Sequence, residues 1–219
     1  MQGLIRCGVI AGLLFGCDTG GVGPTGDDVV PFSDAQGSGG PHGLVIEWSS
    51  APALPSTGNP SVEQARFALN NLRVVGDTGD IRLAMTDEMR FNWSGSEATP
   101  MAMTFDNAPT GIYSQIALSF DGGSNDSYEI RGHVDVSGDN YEFRIEDGNP
   151  ISFDVRIDVT VTPGRMSVVK LRINFTNALD NVDWANVNTS DGRKEIDEND
   201  PEMSGFRAKL ISSFEVVSQ

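Results

Sequence analysis

Six apolar residues at alternate positions, Ile151, Phe153, Val155, Ile157, Val159 and Val161, are interleaved with Ser152, Asp154, Arg156, Asp158 and Thr160. No other feature constrains the fold of this chain as strongly. A period of two places one set on each face of an extended strand, whereas a helix would scatter both sets around its axis. One face must be buried and the other solvated, as in a sheet covered on one side. Pro163-Gly164 supplies a turn, and Val169, Leu171, Ile173 and Phe175 alternate again, predicting an antiparallel hairpin with the first run. Shorter runs of the same kind are Leu44-Ile46-Trp48, Phe67-Leu69, Leu72-Val74, Ile81-Leu83-Met85, Ile116-Leu118-Phe120, Tyr128-Ile130, Val134-Val136 and Tyr141-Phe143-Ile145. Gly- and Asp-rich segments such as Gly76 to Gly79 and Ser137 to Asn140 separate most of them. The pattern predicts an all-β fold, an antiparallel β-sandwich of about eight or nine strands. The period changes only near the C-terminus. There Met203, Phe206, Leu210 and Phe214 recur at helical spacing behind Asp200-Pro201, predicting one short helix and then a strand through Val216-Val217.

The N-terminus reads differently. Arg6 precedes an apolar run from Cys7 to Phe15, after which the chain turns polar. Such a run cannot span a bilayer, which takes roughly 20 apolar residues. Leu14-Phe15-Gly16-Cys17 resembles the lipobox of bacterial lipoprotein signal peptides. The resemblance implies that residues 1–16 are a cleaved signal peptide and that the Cys17 thiol receives a diacylglyceryl group, with further acylation, palmitate being a typical chain, at the new amino terminus. It also implies a lipid-anchored protein of the bacterial cell envelope, periplasmic or on the outer surface. Each buried methylene contributes about 0.8 kcal/mol, so two or three acyl chains hold a protein firmly. Residues 17–42, rich in Gly, Asp, Pro and Ser, then read as a lipidated cysteine and flexible tether that would float the domain of residues 43–219 roughly 25–30 Å from the membrane.

Charge narrows the partners. The formal net charge is −16, and loss of Arg6 with the signal peptide would make it −17. Such a surface repels phosphate backbones, which excludes nucleic acid as a partner. It repels anionic headgroups too, so membrane contact falls to the lipid. No cysteine follows Cys17, so a domain of this size depends on its hydrophobic core rather than on disulfides.

The segment Ala108-Pro109-Thr110-Gly111-Ile112-Tyr113-Ser114-Gln115-Ile116 carries a Pro-x-Gly-x-Tyr-x-x-Ile pattern. It resembles the strand-entry motif of an uncharacterised family of bacterial β-sandwich lipoproteins, which share the order lipobox, Gly-rich tether, first strand and Ala/Pro loop. That resemblance supports the fold and implies no activity. A related resemblance is to periplasmic copper-binding lipoproteins that share the Gly-x-Tyr-x-x-Ile strand and an Asn-x-x-Val-like strand, here Asn70 to Val74. The chain departs from them in histidine, having only His42 and His133. Read by itself, the motif is a corner, in which Pro109 fixes φ, Gly111 permits close approach, and Tyr113 and Ile116 start a buried face.

Several clusters offer chemistry. Asp191, Glu195, Asp197 and Asp200 crowd carboxylates that a calcium ion could relieve, but their spacing departs from the EF-hand loop, and a solvated acidic loop capping the helix at Asn199 or Asp200 is the favoured reading. Met101 and Met103 could offer thioethers to Cu(I) or fill the core. Trp93 and Trp184 stand in polar contexts that suit stacking on a glycan or binding a peptide, but packing over the core edge is the favoured reading. No nucleophile elbow, zinc-protease helix or phosphate loop is present, and His133 falls in phase with the solvent face of its strand. The sequence therefore predicts a non-enzymatic envelope module without a cofactor that binds a protein, glycan or ion. A metal-handling lipoprotein is the alternative, and a carboxylate-based glycan hydrolase is the least supported.

Overall fold

The computed structural model describes residues 42–85, 88–94 and 101–217; Cys17 and the tether up to Pro41 lie outside them. The described chain runs through β1 (Gly43–Ala51), β2 (Ser61–Gly76), β3 (Ile81–Met85), β4 (Met89–Ser94), β5 (Met101–Asp106), β6 (Gly111–Phe120), β7 (Tyr128–Val136), β8 (Asp139–Asp147), β9 (Ile151–Val161), β10 (Met166–Asn174), α1 (Phe175–Leu179), β11 (Thr189–Ser190), β12 (Arg193–Ile196), α2 (Pro201–Ser212) and β13 (Phe214–Val217). One sheet has the order β13-β10-β1-β5; the other runs β11-β12-β8-β7-β2-β6-β9, with β3 and β4 also paired to β2. The all-β sandwich stands. Both sheets are mixed, because β1 pairs with β10 and β12 with β8 in parallel. The strands number 13 among the described residues rather than eight or nine, and α1 joins the expected helix α2.

Strand β2 is the spine. Its two apolar runs, Phe67-Leu69 and Leu72-Val74, belong to one strand of 16 residues whose register breaks between Leu69 and Asn71. The break has a reason in side-chain parity. Phe67 and Leu69 are odd-numbered and Leu72 and Val74 even-numbered, yet all four are buried. An irregularity at Asn70-Asn71 switches the phase so that both halves keep their apolar face on the core. The first half runs between β4 and β7, the second between β3 and β6.

The expected β9–β10 hairpin does not form. Strand β9 pairs with β6 in the larger sheet, while β10 lies between β1 and β13 in the smaller one. The turn at 162–165 carries the chain from one sheet to the other. Both alternating faces turn toward the same core, because two apolar rows bury more area facing each other than side by side. Rings interdigitate between the sheets: Trp48 meets Phe91 at 4.7 Å, and Phe214 meets Phe153 at 4.7 Å and Phe120 at 5.7 Å.

The Pro-x-Gly-x-Tyr corner is a structural device. Tyr113 is buried and its hydroxyl donates to the Pro109 carbonyl at 2.7 Å. Gly111 has φ 140°, and the Arg82 guanidinium fills the space where a Cβ would stand. That guanidinium also lies 5.4 Å from the Tyr113 ring centroid and pairs with Asp77 and Asp80.

Helix α2 starts at Pro201 behind Asp200 and buries Met203, Phe206 and Leu210, as the spacing predicts. An ionic clamp docks it. Asp147, fully buried at the end of β8, accepts from Arg207 Nε at 2.5 Å and Nη2 at 2.8 Å, from the Tyr128 hydroxyl at 2.9 Å and from the Asn149 amide at 2.9 Å. Burial raises the Asp147 pKa, but these donors outweigh it and hold the carboxyl below its ordinary value. Burial and the adjacent Asp147 charge push the Tyr128 hydroxyl strongly up.

Candidate functional site

A cleft of about 900 Å³ opens where the two sheets fail to close at one side of the sandwich. Arg156 to Thr160 of β9 line one wall, Met166 to Lys170 of β10 with Val216 and Val217 of β13 the other, and Thr162 and Arg165 the end. Strand β9 is the last strand of its sheet and pairs with β6 alone among the described strands. Strand β13 covers β10 only from Lys170 to Ile173. Ser167 Oγ donates to the Thr160 carbonyl at 2.8 Å and ties the walls together near the turn. The walls are apolar beneath. Val216, opposite the fully buried Leu171 in the same sheet, lines the opening and is 38% exposed.

The electrostatics of this cleft invert those of the chain. Its lining carries Arg156, Arg165 and Lys170 against the single carboxylate Asp158, in a protein with 31 acidic and 15 basic residues. Lys170 stands 3.9 Å from Glu47. Arg156 and Arg165 have no carboxylate within ion-pair distance among the described residues, whereas Arg66, Arg82, Arg90, Arg131, Arg144, Arg172, Arg193 and Arg207 all do. The signal was legible: residues 156–172 hold four cations and one acid. It goes unnoticed when Arg156 is read only as a member of a solvated strand face.

The acidic stretch is not one cluster. Asp191 sits at the tip of the β11–β12 turn with φ 49°, while Asp197 and Asp200 follow the far end of β12. Four residues of strand, roughly 13 Å at about 3.3 Å per residue, lie between them, too far to share an ion whose ligand bonds are about 2.3–2.6 Å. Their oxygens also serve the backbone. Asp200 Oδ2 accepts from the Asp197 amide at 2.8 Å, Asp197 Oδ1 accepts from the Asn199 amide at 2.7 Å, and Glu195 pairs with Arg193 at 3.1 Å. Among the described residues no three His, Cys, Asp or Glu side chains converge in a way that could hold a metal. Met103 is buried in the core, and the Met101 side chain lies outside the described atoms.

Neither tryptophan offers an exposed platform. Trp93 is in β4 rather than a loop; it is 4% exposed and stacks on Phe91 at 5.7 Å and 7°. Trp184 is 9% exposed and packs on Phe143 at 4.8 Å, with its edge on a cleft of about 380 Å³ formed with Pro52, Thr57 and Phe175. Period-two packing claimed the first ring, and the loop after α1 folded back over the second. His133 faces outward as expected and holds Glu63 at 3.2 Å. Ser61 lies opposite it, but its hydroxyl donates to the His133 carbonyl rather than to the ring, so no nucleophile–base hydrogen bond exists there.

The outer face of the larger sheet carries a separate charge ladder. Glu129, largely buried on β7, takes Arg66 at 3.1 Å, Arg131 at 2.6 Å and Arg144 at 2.8 Å. Burial raises its pKa, but the hydrogen bonds from Arg131 and Arg144 prevail and hold it below the usual range. Burial is also the largest influence on Glu146, whose pKa is raised despite Arg144 beside it.

No family model matches the sequence, and no curated protein matches it. Among solved structures, the chain is similar to MbnP from Methylosinus trichosporium, with 9% sequence identity and a TM-score of 0.43, over 70% of this chain and 82% of that one.

Proposed function

We propose that this protein is a non-enzymatic, lipid-anchored module of the bacterial envelope that binds its ligand in the cleft between β9 and β10. One observation carries the reading: a cleft of about 900 Å³ is cationic on an acidic chain and runs along an open sheet edge. Loop or edge sites on a rigid sandwich commonly carry binding, and a concave site with few convergent charges suits recognition. Among the described residues the cleft's lining holds three cations and one carboxylate, Asp158, a charge balance suited to recognising an anionic ligand. The lipid anchor rests on the Leu14-Phe15-Gly16-Cys17 sequence.

Two measurements test this. Cys17→Ser should move the protein from the detergent-extractable membrane fraction to the soluble one and abolish labelling by radioactive palmitate; unchanged partitioning would remove the anchor from the reading. Backbone NMR of the isotope-labelled full chain, titrated with cell-wall fragments, anionic polysaccharide, short peptides and phospholipid micelles, should show shifts concentrated between Arg156 and Lys170. Shifts elsewhere, or none with any class, would remove the cleft.

A further inference from the structure

Resting on that cleft as the binding site, we propose that it accepts an extended acidic peptide, which adds as a strand along the outer edge of β9. Three features select this occupant. The first is the edge itself. Strand β9 has 11 residues, is paired on one flank only among the described strands, and is an extended template for main-chain hydrogen bonding. The second is the alternation of the walls. Ile157 and Val159 are the inward residues of the lining and Arg156, Asp158 and Thr160 the outward ones, so an added strand would place alternate side chains over apolar and over polar positions. The third is charge. Among the described residues Arg156 and Arg165 have no carboxylate within ion-pair distance and Lys170 is only loosely paired, three cations against the one carboxylate Asp158 in the lining, so an acidic segment would supply what they lack. The stretch from Arg156 to Val161 spans roughly 20 Å at about 3.3 Å per residue, enough for about six residues of partner.

A second copy of this chain is the poorer occupant, since two molecules of formal charge −16 repel. The outward row Asp154, Arg156 and Asp158 also guards β9 against indiscriminate edge pairing.

The test is fluorescence anisotropy of the full chain with a labelled octapeptide alternating glutamate and valine. Three further octapeptides serve as comparisons: lysine for glutamate, threonine for glutamate, and the glutamate peptide N-methylated at every residue, which lacks the backbone donors of both edges. The glutamate peptide should bind saturably and more weakly as salt rises, and the lysine and N-methyl peptides should fail. The double variant Arg156→Glu, Arg165→Glu should weaken binding at least about tenfold while its Tm stays near that of the parent, neither side chain having an ion pair among the described residues. Equal binding of the threonine peptide would overturn the acidic preference while leaving the cleft as a site. Equal binding of the N-methyl peptide would overturn strand addition in favour of simple ion pairing. Dimerisation of the full chain that Arg156→Glu abolishes would hand the edge to a second copy. Silence of every peptide overturns the proposal, and the binding reading falls with it only if the NMR titrations are silent as well.

Discussion

Replacing Arg207 by Met isolates the energetics that hold α2 to the sandwich. Asp147 is fully buried and takes two hydrogen bonds from this guanidinium. Removing the cation strands a buried carboxylate, a change that typically costs about 3–5 kcal/mol. The lower end applies here, because Tyr128 and the Asn149 amide still donate to Asp147 and the Arg207 side chain is 27% exposed. At about 2–4 °C per kcal/mol for a domain of this size, a loss of about 3 kcal/mol lowers Tm by roughly 6–12 °C at pH 7. Calorimetry and urea unfolding of the full chain measure it. The double variant Asp147→Asn, Arg207→Met removes the charge and keeps an acceptor for Tyr128, so it should recover part of the loss. The pH dependence has a definite sign. The folded-state pKa of Asp147 is depressed, so its contribution is present above the ordinary carboxylate pKa of about 3.9 and fades as pH falls through the folded value. Parent and Arg207→Met should therefore converge as pH falls through the depressed folded value of Asp147. A Tm within about 2 °C of the parent at pH 7, or a double variant as unstable as the two single losses added together, would refute the clamp.

Tyr113, whose hydroxyl burial pushes up to about 12, makes the protein sensitive to alkali. The folded pKa lies above the unfolded one near 10, so this contribution is intact below about pH 10 and is lost as pH rises toward 12. Tyr113→Phe should cost about 1 kcal/mol at neutral pH through the lost bond to Pro109 and should flatten part of the alkaline decline in Tm; an unchanged alkaline profile would contradict the assignment. Trp93→Ala should destabilise by about 3–5 kcal/mol in urea unfolding, as a stacked core ring must. A change under about 1 kcal/mol would instead place Trp93 at the surface.

Much of this architecture is written locally. Period-two alternation specifies β1, β6, β8 and β9, and the Asp200-Pro201 start with its i+3/i+4 spacing specifies α2, because strand and helix periodicity depend only on residues a few positions apart. The Pro-x-Gly-x-Tyr corner is equally local, since Tyr113 reaches back only to Pro109. Other elements needed partners distant in sequence. Strand β4 was hidden because Trp93 stands among Asn92 and Ser94, and it became a strand by pairing along β2. Strand β12 looked like a solvated acidic loop until it found β8 in parallel. The alternation of β9 and β10 says that each buries one face, but not against which neighbour, since a hairpin and an arch between sheets present the same pattern. Only tertiary packing decided for the arch, and that choice left an edge of β9 open and brought Arg156, Arg165 and Lys170 to one cleft. Sequence therefore determined which residues are extended and which faces are apolar; the assignment of strands to sheets, a matter of long-range pairing with no local signature, decided that this acidic protein gathers Arg156, Arg165 and Lys170 in one cleft.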